Sequence, residues 1–289
     1  MPLSFYGEVL IGGVLTGLIY GLMALGLSVI FGVVRVVNFA HGEMAVLAMY
    51  AAYVLFVGFG MDPLVSVLPV SLGLFVLGYA LQRHLISGFV ARPEHEQFIL
   101  LVGVAMIMVN GLLMAFGPDA RHVALPYAYD ALEVGQMLVD KVRVYAAGAA
   151  LLVALGLFGF FRFTRTGAAI RACADNLTGA AVIGLDVRRL YALTFGLGAA
   201  CVGAAGSVLV LIADATPGQA PALTMLAFTI VIVGGLGSMG GALLGGVLIG
   251  VSEAMASLFI APSLKSMVSF GLLILVLLAR PQGLLGRRA

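Results

Sequence analysis

The sequence has no tryptophan, only two cysteines and little charge: 10% of its 289 residues are Asp, Glu, Lys or Arg. Soluble domains carry about 25%. With less than half of that, this chain has too little charge to clothe a water-soluble fold. Cys173 and Cys201 lie in different kinds of segment, so they form neither a disulfide framework nor a metal pattern, and both read as inert. Without Trp, Tyr and Phe must supply any aromatic belt at a membrane interface. No basic block has the footprint of nucleic-acid binding. No GxSxG, no HExxH and no clustered His/Cys set occurs. The four histidines, His41, His84, His95 and His122, are scattered over separate connections, and none is paired with a nucleophile. An intramembrane enzyme therefore has nothing to stand on. GxxxxGK[ST] is missing too, so ATP is not bound through a P-loop in this chain.

What the chain does have is apolar residues (62%) and 39 glycines. That much apolar surface needs lipid as its solvent, and glycine suits close helix packing there. A spanning helix takes about 20 mostly apolar residues. Residues 9–34, 42–60, 64–82, 98–116, 143–161, 190–212, 241–260 and 266–280 qualify, and 223–236 is either a short span or a re-entrant piece. The runs are continuous rather than alternating, which excludes a strand barrel. The fold class expected is an all-α polytopic membrane protein, with eight clear transmembrane helices plus one short or re-entrant segment. Residues 1–289 form a single domain. The opening MPLSFYGEVLIGG lacks a basic region and a cleavage site and reads as the start of a retained first span.

Net charge is +2, but the placement of charge is more informative. Arg35, Arg83, Arg92, Arg162, Arg165, Arg171, Arg188, Arg189, Arg280, Arg287 and Arg288, eleven of the 15 basic residues, fall in connections that alternate spans assign to one side. That side is expected to be cytoplasmic. Nine crossings then put the N-terminus outside and the C-terminus inside. The longest loop on the other side, Asp119 to Arg143, is acidic and is the natural surface for an external binding protein. Asp214, Pro217 and Pro221 read as a further outer loop, stiffened by proline.

Three stretches are candidates for function. RVVNFAHGEM, residues 35–44, places four polar or charged side chains between two apolar runs. On a helix Arg35, Asn38 and His41 form one drifting stripe, with Glu43 about 160° from His41. One reading is a cytoplasmic turn, with Gly42 in the bend and Asn38 as a cap. The other is broken backbone inside the protein, with Asn38, His41, Gly42 and Glu43 lining a solute route or gate. Such backbone survives at membrane depth only under cover of protein or water. GGLGSMGGALLGGVLIG, residues 234–250, carries nested small-xxx-small steps. It serves tight packing, or it exposes backbone at Gly234, Gly235, Gly237 and Ser238 to a zwitterionic solute. Glu253 beyond it meets the solute or faces the outer interface. In residues 162–190 the segment 167–184 suits a helix at the membrane surface, ended by Gly184. It is a plain basic connection or a docking element for a cytoplasmic partner.

Within that loop Thr178-Gly179-Ala180, then three residues, then Gly184 resembles the EAA loop of ABC importer permeases, with Thr178 in place of the usual Glu and Gly179 in place of the following Ala. TRTGAAIRACADN, GLIYGLMALGLSVIFGVVRVVNFAHGEM, VIVGGLGSMGGALLGGVLIGVSEA and SFGLLILVLLARPQGLLGRR are similar to the permeases of high-affinity branched-chain amino acid importers, in the shorter of their two paired forms. The resemblance implies a bacterial cytoplasmic-membrane permease for Leu, Ile or Val. It implies a second homologous permease, an extracytoplasmic binding protein, and two cytoplasmic ATPase subunits that hold ATP and Mg, leaving no cofactor in this chain. Asp175, Asn176, Thr178, Gly179, Ala180 and Gly184 would then couple to an ATPase. The family also serves other amino acids, urea and short amides. An ATP-independent secondary transporter is the contrasting class, disfavoured by the few charges inside spans.

Overall fold

The computed structural model describes residues 3–90, 92–127, 130–135, 137–259 and 264–286. Arg287, Arg288 and the first two residues of the opening stretch lie outside them, as does Ile260 at the end of an expected span. The chain is α-helical, with α1 (Leu3–Val34), α2 (His41–Phe59), α3 (Pro63–His84), α4 (Glu94–Phe116), α5 (Lys141–Phe163), α6 (Arg165–Asp175), α7 (Leu177–Val182), α8 (Val187–Leu209), α9 (Ala220–Gly234), α10 (Met239–Ala256) and α11 (Lys265–Ala279). Several helix starts follow short polar residues. Asp62, Asp140, Asp186 and Ser238 each accept from a first-turn amide, satisfying donors that a helix leaves free.

Among the described residues, eight helices are long and apolar enough to cross a membrane. Two of the expectations change places. The doubtful 223–236 becomes α9, which with the 3-10 turn Pro217–Gln219 makes one of the eight. The segment 266–280, expected to be a clear span, is the shorter α11. Its 15 residues extend about 22 Å at 1.5 Å per residue, less than the ~30 Å hydrocarbon layer. The connection from α4 to α5 also holds a two-stranded antiparallel hairpin, β1 (Ala131–Val134) and β2 (Met137–Asp140), paired Ala131 to Asp140.

α1 and α8 form the centre: 72% and 83% of their apolar windows are buried, against 11% for α4. The α4 side chains Ile99, Met106, Ile107 and Met114 face outward, as a lipid-solvated helix requires. α1 and α10 run antiparallel along a glycine seam. A Cβ on Gly17 would lie 2.6 Å from Val247 Cα, and one on Gly250 would lie 2.5 Å from Gly13 O. A second seam joins α9 to α10, where a Cβ on Gly245 would lie 2.6 Å from Ile230 O. The nested small-residue steps therefore pack helices within the chain. At the foot of both seams Gly237 approaches Gly32, close to where α1 ends. α9 thus returns the chain to the end of α1 that Arg35 follows.

Candidate functional site

The polar stretch after α1 is not a stripe on a helix. Residues 35–38 are irregular, followed by a turn at Phe39–Ala40, and α2 starts at His41. The departure begins at Arg35, exposed and at φ 57°, a left-handed conformation uncommon for a residue with a Cβ. From there the chain folds back along α1. His41 Nε2–H donates to Met23 O at 2.9 Å, at a level about 16 Å before the end of α1. The segment is therefore an internal break rather than a turn at the surface, and α2 begins deep in the helix bundle.

Each polar group there has a defined neighbour. Asn38, His41 and Glu43 are all buried. Asn38 does not cap α2. Its Oδ1 accepts from Ala40 N–H at 3.1 Å, and its amide nitrogen points to Met44 Sδ at 3.7 Å. Phe39 covers the break, edge-on to Phe98 of α4 at 4.6 Å and beside Phe228 of α9 at 5.4 Å. The near-opposite placement of His41 and Glu43 sends them to different helices. His41 turns to α1, while Glu43 Oε2 accepts from the Thr224 hydroxyl of α9 at 3.3 Å. That same hydroxyl accepts the Gly42 amide at 2.9 Å. Gly42 is needed for this closeness: a Cβ there would sit 2.5 Å from Thr224 Oγ1 and would strike Ala220 O. The remaining ring nitrogen, His41 Nδ1, is buried without a partner.

Asn38, His41, Gly42 and Glu43 thus form one cluster. The other candidates lie elsewhere. Gly234, Gly235, Gly237 and Ser238 make the α9–α10 turn, and Gly234 is about 15 Å along α9 from Thr224. Gly235 and Gly237 take positive φ, and the C-terminal segment pairs with the turn through Leu284 N–H to Val233 O and Leu285 N–H to Gly234 O, both 2.9 Å. Glu253 sits at the opposite end of α10. It accepts from Ser269 Oγ at 2.5 Å and borders a cavity of about 430 Å³ shared with Tyr20, Arg143 and Lys265.

The connection at 162–190 holds two helices where one was expected over 167–184. Asn176 is extended (φ −148°, ψ 98°), which ends α6, and its Oδ1 accepts from Gly179 N–H at 2.8 Å, which starts α7. Gly184, at φ 85°, closes α7 as expected, with Leu185 N–H reaching back to Ala180 O at 3.1 Å. Ala180 is buried, whereas Leu177, Val182 and Ile183 are exposed. Asp175 ends α6 and Thr178 is exposed. Cys173 and Cys201 are free and buried, and burial pushes the Cys173 thiol up, keeping it protonated.

Thr224 is the residue that sequence reasoning missed. A threonine in an apolar run carries no signal until the fold brings α9 against α2. The antiparallel bridge between Arg121 and Ala215 is equally silent; it ties two loops together beside the Tyr50 hydroxyl, which donates to Ala215 O at 3.2 Å.

Residues 9–277 match the profile of the family described as the permease component of branched-chain amino acid transport systems. The chain is 31% identical to the high-affinity branched-chain amino acid transport system permease protein BraD of Pseudomonas aeruginosa, over 98% of this chain and 96% of that one. It is 31% identical to LivH of Escherichia coli K12, the protein with the same description there, over the same shares. A second protein so described in that strain, LivM, is 25% identical over 93% of this chain and 68% of its own length. No solved structure matches.

Proposed function

The chain belongs to the family of permease components of branched-chain amino acid transport systems, and from that premise we propose that it forms one half of an importer carrying Leu, Ile or Val across the bacterial cytoplasmic membrane. The carrying observation is the match over almost the whole chain to relatives of that description. One strain holds two such relatives, both similar to this chain, and this supports a second, homologous permease as the other half. The arginine-rich ends face the cytoplasm, so the N-terminus is outside and the C-terminus inside.

Within this reading the chain itself performs no chemistry. ATP is hydrolysed by two partner subunits, one of which receives α7. Its exposed Leu177, Val182 and Ile183 supply the apolar face that a groove on that partner would cover. Gly184 and the Asn176 joint fix the angle of that face to α6, which packs on α5 and α8. On the outer side the hairpin and the loops joined at Arg121 and Ala215 present the surface for a binding protein.

The break at 35–41 is the gate. Thr224 holds α2 to α9 through one hydroxyl, with Glu43 and the Gly42 amide as its partners. Sliding α9 against α2 breaks two hydrogen bonds and uncovers the buried His41 and Glu43, polar groups suited to a zwitterion passing between subunits.

The test is reconstitution. The chain, co-purified with the proteins bound to it, is placed in liposomes with external binding protein and labelled leucine. Accumulation only with internal ATP is expected. Uptake by the chain alone without ATP, or none of Leu, Ile or Val accumulating, would overturn the reading.

A further inference from the structure

A cavity of about 580 Å³ opens at the arginine-rich end, beneath α6 and the α9–α10 turn. Its size falls within the ~300–1,000 Å³ usual for small-molecule sites. The wall carries charge of both signs and a greasy side. Arg35 and Arg171 bring positive charge, Asp175 brings negative charge, and Val29, Phe161 and Leu285 supply apolar surface. The first turn of α10, capped by Ser238, begins at the same wall, adding the positive end of an 18-residue helix.

Ser28 is the independent sign that something polar belongs there. It lines the cavity, is wholly buried, and its hydroxyl has no partner among the described residues. A serine inside an apolar helix ordinarily returns its hydroxyl to the backbone carbonyl four residues earlier, as Thr194, Ser207 and Thr229 do in this protein. A buried hydroxyl left unpaired costs about 1–3 kcal/mol, a cost that a ligand atom inside the cavity removes.

We propose that this cavity is a cytoplasmic-side binding site for a free apolar α-amino acid, through which accumulated product acts back on the transporter. The carboxylate is received by Arg35, Arg171 and the α10 N-terminus; the ammonium lies toward Asp175; Ser28 bonds the head group; the side chain rests on Val29 and Phe161. The occupant would touch α6, which leads into α7, and the α9–α10 turn, which ends the gate helix. Filling the site therefore pins those two elements together and slows the cycle. The regulatory part rests on the import reading above; the binding part does not.

The experiment labels a thiol placed in the cavity. Ala174→Cys, at a half-buried position on the cavity wall, is introduced in the full chain with Cys173→Ala and Cys201→Ala, and the chain is purified with its bound subunits into nanodiscs of zwitterionic lipid. The rate of reaction with a small methanethiosulfonate is followed against leucine, isoleucine, glycine and acetate. Leucine and isoleucine are expected to slow labelling at least fivefold and saturably, glycine and acetate much less. Adding Arg171→Gln is expected to raise the leucine concentration needed by about tenfold. In the complex without thiol substitutions, leucine on the ATPase side is expected to lower ATP hydrolysis severalfold. Labelling unchanged at 100 mM leucine would overturn the site, as would protection by anionic lipid in place of amino acid. Protection without any change in ATP hydrolysis would overturn the feedback role. A transporter that fails to import leucine yet shows protection would overturn the import reading alone.

Discussion

The glycine seam between α1 and α10 allows a prediction whose size can be worked out. Replacing Gly246 with Ala puts a methyl group against the backbone of Gly21, in contact with its N and Cα, and 2.6 Å from Gly17 O. Every obstacle is backbone, so no side chain can swing aside. Ordinary carbon contacts lie at about 3.5–4.0 Å, so the helices must part locally by about 1 Å. A gap of that size forfeits a quarter to a half of each dispersion contact nearby, and overpacking of well-fitted cores costs about 1–3 kcal/mol. Ala's helix propensity returns at most about 1 kcal/mol. The net is a loss of about 1–2 kcal/mol, or roughly 2–8 °C in melting temperature for a chain of this size. Gly148→Ala is the control: it lies inside α5 with open space where its Cβ would go, so only the propensity gain remains. The protein supplies its own reporter. Cys173 and Cys201 are buried and free, so a thiol-reactive fluorophore stays dark until the fold opens. An unchanged melting curve for Gly246→Ala, or equal shifts for both variants, would refute the reasoning.

Thr224→Val removes the hydroxyl shared by Gly42 and Glu43 and should cost about 1–3 kcal/mol, read in the same melt, because it leaves a buried amide unpaired. Gly184→Val forces φ 85° on a β-branched residue, at about 1–2 kcal/mol, with open space around it. ATP hydrolysis should persist while leucine uptake falls at least tenfold, and coupled uptake at the normal rate would count against α7 as the docking element. Tyr127 donates its hydroxyl to Asp62 at 2.5 Å, and burial followed by that carboxylate pushes its ionisation upward. The raised value means that this contact stabilises fully below the ordinary tyrosine range near 10 and weakens only as pH rises above it. Ultraviolet titration should lose one of its late-ionising phenols in Tyr127→Phe. Single cysteines at Glu133 and Thr178 should label from opposite sides of the membrane; labelling from one side would defeat the proposed orientation.

Composition alone made the fold class legible, because so little charge leaves no soluble alternative. The spans were legible from their length. Their ranking was not: α9 and α11 are each 15 residues long, and the 3-10 turn Pro217–Gln219 brings α9 to the length of a span. Residues 35–44 announced themselves by polarity in an apolar setting. Polarity alone left a surface turn and an internal break equally open, because what settles it, the hydrogen bond to Met23 and the cover of Phe98 and Phe228, comes from distant segments. Thr224 is hidden for the same reason. In the 162–190 loop, Asn176 carried the signal for a break: asparagine is a strong helix starter, and it sits in the middle of what reads as one helix.

The partners of the α1 seam are separated by most of the polypeptide. During synthesis the first span enters the membrane and leaves the ribosome far behind long before α10 exists. Until then Gly13, Gly17 and Gly21 present a shallow trough to lipid, or to whatever membrane chaperone occupies it. Maturation of this protein should therefore wait for α10, and quality-control proteases should find their target in an α1 still without its late partner.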